Sequence, residues 1–352
     1  MTIPPNRLGV RLGPVSVVVH RRAVVGLIVT LTLLFAALLV ALTTGKYDLS
    51  PGRALTALVG AGEPVEQYIV GRRLMRALAA LLIGALLGIC GALTQTITRN
   101  PIATPDLLGV TIGASLGAVI ALTQPSLLGW LSFTGDRISA AAFLGAFVST
   151  GIIMALAWRG GYEALRLILV GLGVNAVAVS AITWLLARAE VNDAAVATQW
   201  LVGGIQRIDH DDLPMLAVVL ALGVGACLVL TRDLHALRLG RDVATSLGTA
   251  AGRTEATALF VAIALVAIAT AAAGPIAFVA FLAPQAAMRI FGTAGPPPLA
   301  AAIVGATVML VADLAAQHLW VTLSTGVVTP IIGAPFLLYL LIRHQRRASV
   351  VH

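Results

Sequence analysis

Long apolar stretches, separated by short polar or charged segments, follow one another along almost the whole chain of 352 residues. A helix that crosses a membrane needs about 20 mostly apolar residues, and about ten windows of this sequence meet that need. They predict spans at residues 23–43, 76–97, 107–123, 138–158, 166–187, 213–231, 255–273, 276–291, 299–317 and 326–342. The pattern therefore predicts an all-α polytopic membrane protein with about ten transmembrane helices.

Composition narrows the classes of protein further. The chain is 59% hydrophobic and 11% charged, with a mean hydropathy of +0.98, whereas soluble domains carry about 25% charged residues. A water-soluble enzyme is excluded on this ground. The net charge of +8 is spread thinly, and nucleic-acid binding needs cations clustered on one face. We therefore expect membrane lipid around the chain and no nucleic-acid partner.

The distribution of cations predicts the orientation of the spans. With a cytoplasmic N-terminus, fifteen Arg residues fall in inner segments and eight Lys or Arg residues in outer ones, which agrees with the positive-inside rule. We therefore expect a cytoplasmic tail at residues 1–22, one transmembrane domain at 23–342 and a basic cytoplasmic tail at 343–352. The first apolar run lacks a convincing cleavage site and should remain as a span.

Small residues at four-residue spacing indicate where helices pack closely. Gly84 and Gly88 form one such pair, and Gly109, Gly113 and Gly117 form two in succession. In lipid, glycine lets helix backbones approach each other. We interpret these glycines as packing positions and not as a ligand site.

The sequence lacks the motifs of an energy-converting or catalytic protein. Lys46 is the only lysine and is followed by Tyr47, so the chain has no P-loop, which requires Gly-Lys-Ser/Thr. Cys90 and Cys227 lie alone in apolar runs and are expected to be buried thiols. The six histidines have no metal-ligand spacing. No catalytic residue, metal site or bound cofactor is expected in this chain.

Two acidic residues have positions of interest. Asp313 lies within a predicted span, where an ionisable group is costly and often functional. Either it takes part directly in transport or it hydrogen-bonds neighbouring helices. Asp106 lies at a predicted helix start, where a carboxylate favours the helix dipole.

Three polar segments are not explained by membrane insertion alone. In residues 234–248, Gly240 separates two short amphipathic helices whose apolar positions are Leu234 and Leu237, and Val243 and Leu247. Such a pair either docks in a groove of another protein or connects two spans along the surface. Composition leaves both open.

The second segment, residues 91–105, contains Gln95, Asn100 and Pro101. Its prolines end the helix, and Gln95 is expected to face a polar path.

The third segment contains Arg73 and Arg76 at the outer end of the second span. Arginines there either extend to lipid headgroups or hold a partner's carboxylates.

At these residues the chain resembles the FecCD family, the permease subunits of bacterial ABC importers, from about Arg73 to Tyr339. The matching motifs are Arg73-Leu-Met-Arg76, Gly91 with Gln95, Asn100-Pro-Ile-Ala103 with Pro105 and Leu108-Gly109, Leu237 to Gly248, Gly274-Pro-Ile-Ala-Phe-Val279, Gly305 with Asp313, and Gly326-Val-Val-Thr329 before Gly333-Ala-Pro-Phe336. Three positions depart from the family pattern. Met75 replaces a proline, Gln285 stands where histidine is usual, and Gln317 stands where arginine is frequent.

The resemblance implies a type II ABC importer fold, like that of cobalamin permeases, and a second permease subunit, identical or paralogous. It also implies two cytoplasmic ATPases, which carry ATP and Mg, and an extracytoplasmic binding protein that docks on Arg73 and Arg76. Pathway or gate candidates are Gln95, Asn100, Pro101 and Asp313. The coupling segment would be 234–253, with ATPase contacts at Leu237, Arg238, Leu239, Gly240, Arg241, Asp242, Ala244, Ser246, Leu247 and Gly248.

The expected function is transport of a ferric siderophore across the cytoplasmic membrane of a bacterium. Cobalamin and haem remain alternatives within the importer class, because the binding protein largely selects the chelate. A self-sufficient carrier driven by protons through Asp313 is the alternative from another class.

Overall fold

The computed structural model describes residues 7–12, 15–128, 130–131, 136–157, 164–318 and 323–348. Two short antiparallel strands precede the helices, β1 at Arg7–Leu12 and β2 at Val15–His20, with Arg7 opposite His20 and Leu12 opposite Val15. The hydrophobic pattern had predicted a cytoplasmic tail here and no strands.

The rest of the described chain is helical. The helices are α1 Arg21–Thr43, α2 Pro51–Leu58, α3 Pro64–Thr98, α4 Val110–Thr123, α5 Arg137–Ala157, α6 Ala164–Arg188, α7 Val191–Val202, α8 Asp212–Arg238, α9 Arg241–Ser246, α10 Ala251–Ala273, α11 Val279–Phe291, α12 Pro298–His318 and α13 Thr325–Ala348. Short 3-10 turns lie at Pro105–Leu108 and Ile205–Arg207.

Each of the ten predicted spans coincides with a helix. Seven helices are long and apolar enough to cross a membrane, and the shorter apolar helices α4 and α11 and the apolar part of α13 occupy three further predicted positions. The main differences lie at helix ends. Helix α3 begins at Pro64 instead of residue 76, and α8 continues to Arg238 instead of ending at 231. A predicted apolar segment ends where charged residues begin, although the helix itself continues through those residues.

Helix α3 is the centre of the packing. It contacts α12, α10 and α11 along its length, and 83% of its most apolar window is buried. A Cβ on Gly88 would lie 2.1 Å from the Ala301 carbonyl oxygen, and one on Gly91 would lie 1.8 Å from that of Ala280. These distances confirm the packing role predicted for Gly88, and both cysteines are buried as expected.

Helices α1, α6 and α8 lie at the periphery. Only 17%, 22% and 17% of their apolar windows are buried, so large apolar side chains such as Phe35, Leu172 and Val229 are exposed. Lipid or a second membrane subunit must cover these faces. The turn after α1 carries the exposed Lys46.

Candidate functional site

One end of the bundle carries the segment predicted to couple to an ATPase, residues 234–253, here called the α9 segment. It contains the end of α8, the short helix α9 and the start of α10. Gly240 separates α8 from α9 with a φ of 118°, a conformation that glycine adopts without strain. The Gly240 carbonyl accepts a hydrogen bond from the amide of Ala244 at 2.9 Å, so the same residue starts the new helix.

The apolar residues of the α9 segment divide between the protein interior and the surface. Leu234 and Leu237 are 2% and 1% exposed, so the first pair of predicted apolar positions packs inside the chain and does not face a partner. Leu239, Val243 and Leu247 are 65%, 45% and 59% exposed. Val243 and Leu247 lie one helical turn apart and form an exposed apolar row, whereas Leu239 precedes the break at Gly240.

The remaining predicted residues of this segment shape and hold it. Arg238 donates to the Pro296 carbonyl, and Arg241 lies 3.7 Å from the Glu255 carboxylate. The Asp242 carbonyl accepts from the Ser246 hydroxyl at 3.0 Å, Ala244 is fully buried and Gly248 has a φ of 83°. The segment is therefore a defined corner of the bundle and not a loose connector.

Toward the other end, Arg76 and Asp313 form a bidentate ion pair between α3 and α12. The Arg76 Nε donates to Asp313 Oδ2 at 2.8 Å, and its Nη2 donates to Oδ1 at 2.9 Å. Gln317 donates to Oδ2 at 2.7 Å, and the Thr325 hydroxyl donates to Oδ1 at 2.6 Å. Asp313 is 1% exposed, so this carboxylate joins α3, α12 and α13.

The arrangement bears on both expectations for these residues. Asp313 has the hydrogen-bonding geometry of the structural alternative, and Gln317 contributes to it. The Nε and Nη2 donors of Arg76 are both engaged by Asp313. Arg73 donates to the carbonyls of Leu42 at 2.9 Å and Tyr47 at 2.6 Å. The two arginines predicted to dock a binding protein thus have intramolecular partners in this conformation.

Gln95, predicted to face a polar path, lies in the core. It is 2% exposed, its amide donates to the Phe281 carbonyl at 3.2 Å, and its Oε1 accepts from Gln285 Nε2 at 2.8 Å. Arg289 donates to the Gln285 carbonyl at 2.7 Å. In this conformation Gln95 links α3 to α11 through Gln285 and is covered by tertiary packing.

Asn100 and Pro101 form the turn after α3. The Asn100 Oδ1 accepts from the amide of Ile102 at 3.1 Å, and its carbonyl accepts from the amide of Ala103 at 3.1 Å. Arg99 caps α3 in the left-handed conformation, with a φ of 51°. Pro101 is exposed. Both residues therefore belong to the turn that leads from α3 to the 3-10 turn at Pro105–Leu108.

A cavity of about 640 Å³, here called the polar-edged cavity, lies between α4, α6, the end of α7 and the start of α13. Apolar residues such as Ile182 and Leu201 form most of its wall. Its polar lining residues are Asp106, Thr111, Ser115, Asn175 and Thr183. The sequence predictions did not include this group as a site.

Asp106 is the charged member of the group. It lies in the turn before α4, and its Oδ1 accepts a hydrogen bond from the Thr111 hydroxyl. Burial raises the pKa of the Asp106 carboxyl above its ordinary value, and hydrogen bonds from Thr111 and Thr104 oppose this effect. The Asn175 Oδ1 is buried and has no hydrogen-bond partner among the described residues.

A signal for the polar-edged cavity was present in the sequence. Thr111 and Ser115 are four residues apart in α4, and Asn175 and Thr183 are eight apart in α6, spacings that put each pair on one helix face. What the sequence could not supply is that the two faces meet, since α4 and α6 are separated by α5.

Comparisons with known proteins cover nearly the whole chain. Residues 33–343 match the model of the FecCD transport family. The chain is 37% identical over 330 residues to the ferric enterobactin transport system permease protein FepG of Escherichia coli (strain K12), covering 91% of this chain and 98% of that protein. It is 33% identical over 285 residues to the cobalamin import system permease protein BtuC of Halobacterium salinarum, covering 80% and 75%.

A solved structure gives the same result for the fold. The chain matches an inward-facing conformation of a metal-chelate type ABC transporter with a TM-score of 0.77 and 26% identity, covering 90% of this chain and 98% of that one. The match confirms the predicted type II importer architecture.

Proposed function

Because the chain belongs to the FecCD transport family, it is a membrane-spanning transport permease, and we propose that it carries a ferric siderophore chelate across the cytoplasmic membrane. The observation that carries the choice of substrate is the 37% identity to a ferric enterobactin permease across almost its full length. The proposed assembly contains a second permease subunit, two ATPases that bind ATP and Mg, and an extracytoplasmic binding protein. Both termini are proposed to be cytoplasmic.

The exposed row of Val243 and Leu247, with the exposed Leu239 just before the break at Gly240, supports the ATPase contact. Exposed large apolar side chains at one helix spacing are a surface that a partner covers. The row lies on a segment that α8 and α10 hold from either side, so a displacement of α9 would be transmitted to two spans. Movement of packed helices between two discrete arrangements is the coupling that we propose.

The polar-edged cavity supports a path for a large chelate. Its wall is mostly apolar, so a bulky ligand would contact it without being held by many hydrogen bonds. Asp106, Thr111 and Asn175 supply a few polar atoms along one side, a combination typical of ligand-binding cavities. We propose that this cavity forms part of the translocation path, and we keep Asn100 and Pro101, which precede Asp106 in the chain, as gate candidates.

The geometry of Asp313 argues against the proton-coupled alternative. The Asp313 carboxylate accepts four hydrogen bonds, two of them from an arginine, so partners on α3, α12 and α13 occupy both of its oxygens. A proton carrier needs a group that gains and loses a proton during the cycle. The ion pair instead supports a structural role.

The proposal is tested first at the ATPase contact. Leu247→Asp places a charge in the apolar row, and we expect at least a tenfold loss of the ATPase subunit that copurifies with the permease. Leu55→Asp is the matched control, because Leu55 on α2 is equally exposed at 58% but lies outside the α9 segment. Equal copurification of both variants would contradict the proposed contact.

The substrate is tested by uptake. A strain that lacks the gene is supplied with ⁵⁵Fe-loaded siderophores, haem or cobalamin, and we expect only the siderophore to depend on this chain. Restoration of cobalamin or haem uptake alone would replace the proposed substrate. The purified chain in vesicles, without ATPases, is expected to accumulate nothing under a proton gradient, and accumulation there would favour the carrier.

A further inference from the structure

A cavity lined by basic residues lies where α1 begins and α11 ends. It has a volume of about 700 Å³, and its charged wall consists of Arg21, Arg22 and Arg289, with His20 at the edge. It lies at the same end of the bundle as the α9 segment, because Gly295, just after α11, packs against Arg238. We call it the basic cavity.

The described lining of the basic cavity carries cationic side chains. Among the described residues that line it, there is no aspartate or glutamate. Arg22 donates one hydrogen bond to the Arg289 carbonyl at 2.6 Å, which fixes its guanidinium beside α11, and an arginine has five donors in all. Arg22 is held by the Arg289 carbonyl and Arg289 by the Gln285 carbonyl at 2.7 Å, and with Arg21 they border one cavity, an arrangement that suits an anion.

The other wall of the basic cavity is apolar and continues into the membrane. Val25 and Val29 of α1 line it and are 51% and 48% exposed. They belong to the face of α1 that the chain leaves uncovered. A Cβ on Gly26 would lie 2.9 Å from the Ile290 carbonyl oxygen, so close packing of α1 on α11 forms the floor. A ligand with a negative head and apolar chains fits both walls.

We propose that the basic cavity binds the headgroup of an anionic phospholipid, with its acyl chains along Val25 and Val29. Basic pockets between transmembrane helices at the membrane boundary bind such headgroups. The preceding segment of this chain is an unsuitable occupant, because residues 1–20 contain no aspartate or glutamate and add Arg7 and Arg11. The proposed ATPase contact lies on another element, α9.

The site is tested by native mass spectrometry of the purified full chain in detergent. Phosphatidylglycerol, cardiolipin and phosphatidylcholine with identical acyl chains are added separately. We expect both anionic lipids to be retained at least tenfold better than phosphatidylcholine. Each arginine near a membrane surface contributes about a fivefold change in affinity for anionic lipid, so Arg21→Gln should weaken retention about fivefold and the Arg21→Gln/Arg22→Gln pair more.

Two controls separate a site from general charge attraction. Arg232→Gln removes one exposed cation from α8, away from the basic cavity, and is expected to leave retention unchanged. Lysine at positions 21 and 22 keeps the charge and should restore most of the binding if the glutamine pair unfolds the chain. Equal losses in Arg21→Gln and Arg232→Gln, or equal retention of phosphatidylcholine, would overturn the proposal.

The source of the phosphate is tested with the same protein. Inorganic phosphate at about 10 mM, a concentration at which the Debye length is still of the order of 30 Å and general screening is weak, is added to the lipid-loaded chain. We expect it to displace little phosphatidylglycerol, since it lacks the acyl chains that contact α1. Full displacement would assign the cavity to a free anion and overturn the lipid proposal, as would displacement by an acidic peptide.

Discussion

Helices α3 and α6 are both long and apolar, but they have opposite surroundings. The apolar window of α3 is 83% buried and that of α6 is 22% buried. Helix α3 contacts α8, α10, α11 and α12, whereas α6 contacts mainly α4 and α5. Hydropathy alone does not separate them, with mean values of 2.3 and 2.0.

The difference divides stability from function within the bundle. Substitutions in α3 disturb packing inside the chain, so they should lower the stability of the purified subunit. Substitutions in α6 disturb a face that, in the proposed assembly, a partner subunit or the substrate meets. Equivalent substitutions in the two helices therefore test whether stability and transport are divided in this way.

The largest effect is expected for Arg76→Gln in α3. This change leaves the Asp313 carboxylate buried without its cation, which typically costs about 3–5 kcal/mol. Arg188→Gln in α6 removes only an exposed arginine 5.2 Å above the Trp184 ring, worth about 0.5–1 kcal/mol. Unfolding by denaturant in detergent measures both, and the double variant Arg76→Gln/Asp313→Asn should recover part of the loss. Equal losses for the two arginines would remove the contrast between the helices.

A smaller effect is expected at the glycines. Gly91→Ala in α3 forces a methyl group against the Ala280 carbonyl, and overpacking of this kind costs about 1–3 kcal/mol. Gly173→Ala in α6 places its methyl group in open space, with nothing within 4 Å. Thermal unfolding of the two variants should separate them clearly. A stable Gly91→Ala variant would mean that α11 moves away from α3 at little cost.

For Asn175→Leu in α6 we expect a loss of transport and no loss of stability. Asn175→Leu removes a buried oxygen that has no partner among the described residues, so the subunit should remain as stable as before. Uptake of the ferric chelate should fall about fivefold, the size of one hydrogen bond. Val177→Leu in the same helix is the control, since Val177 does not line the polar-edged cavity. Unchanged uptake by Asn175→Leu would exclude Asn175 from the path.

The smallest effect on stability is expected for Leu172→Cys, on the uncovered face of α6. Its side chain is 67% exposed, and exposed changes of this kind stay within about 0.5 kcal/mol. If this face meets a second permease subunit, oxidation of membranes should yield a cross-linked pair of permeases. Val229→Cys on α8, which is 82% exposed, should give none. Cross-linking through Val229 alone would place the subunit interface on α8.

The sequence predicted the helices well and the contacts between them poorly. Apolar length located a helix at each of the ten predicted positions, because a segment inside lipid must satisfy its own backbone hydrogen bonds. Charged ends were missed at Pro64 and Arg238, since a hydropathy window stops where charges begin. The glycine spacing at Gly84 and Gly88 predicted close packing, although it did not name α12 as the partner.

The site residues show the same limit. Asp313 was recognised as important from its place in an apolar span, but its pairing with Arg76 joins positions 237 residues apart. Gln95 was expected on a path because it is polar, whereas Gln285 satisfies it in the core. Asp106 was predicted as a helix-start residue. The cavity that it lines could not be predicted, because α6 forms part of the wall. The spacing of residues predicts which side chains share a helix face, and only the fold shows which helix faces pack against each other.

The exposed turn after α1 carries the chain's single lysine side chain, Lys46. A membrane-impermeant amine reagent therefore has one side-chain target in this subunit. Labelling of Lys46 in intact cells with a permeabilised outer envelope, compared with labelling in inverted vesicles, reports which face of the membrane this turn occupies. The chain thus carries its own chemical marker of sidedness, without any engineered cysteine or fused reporter.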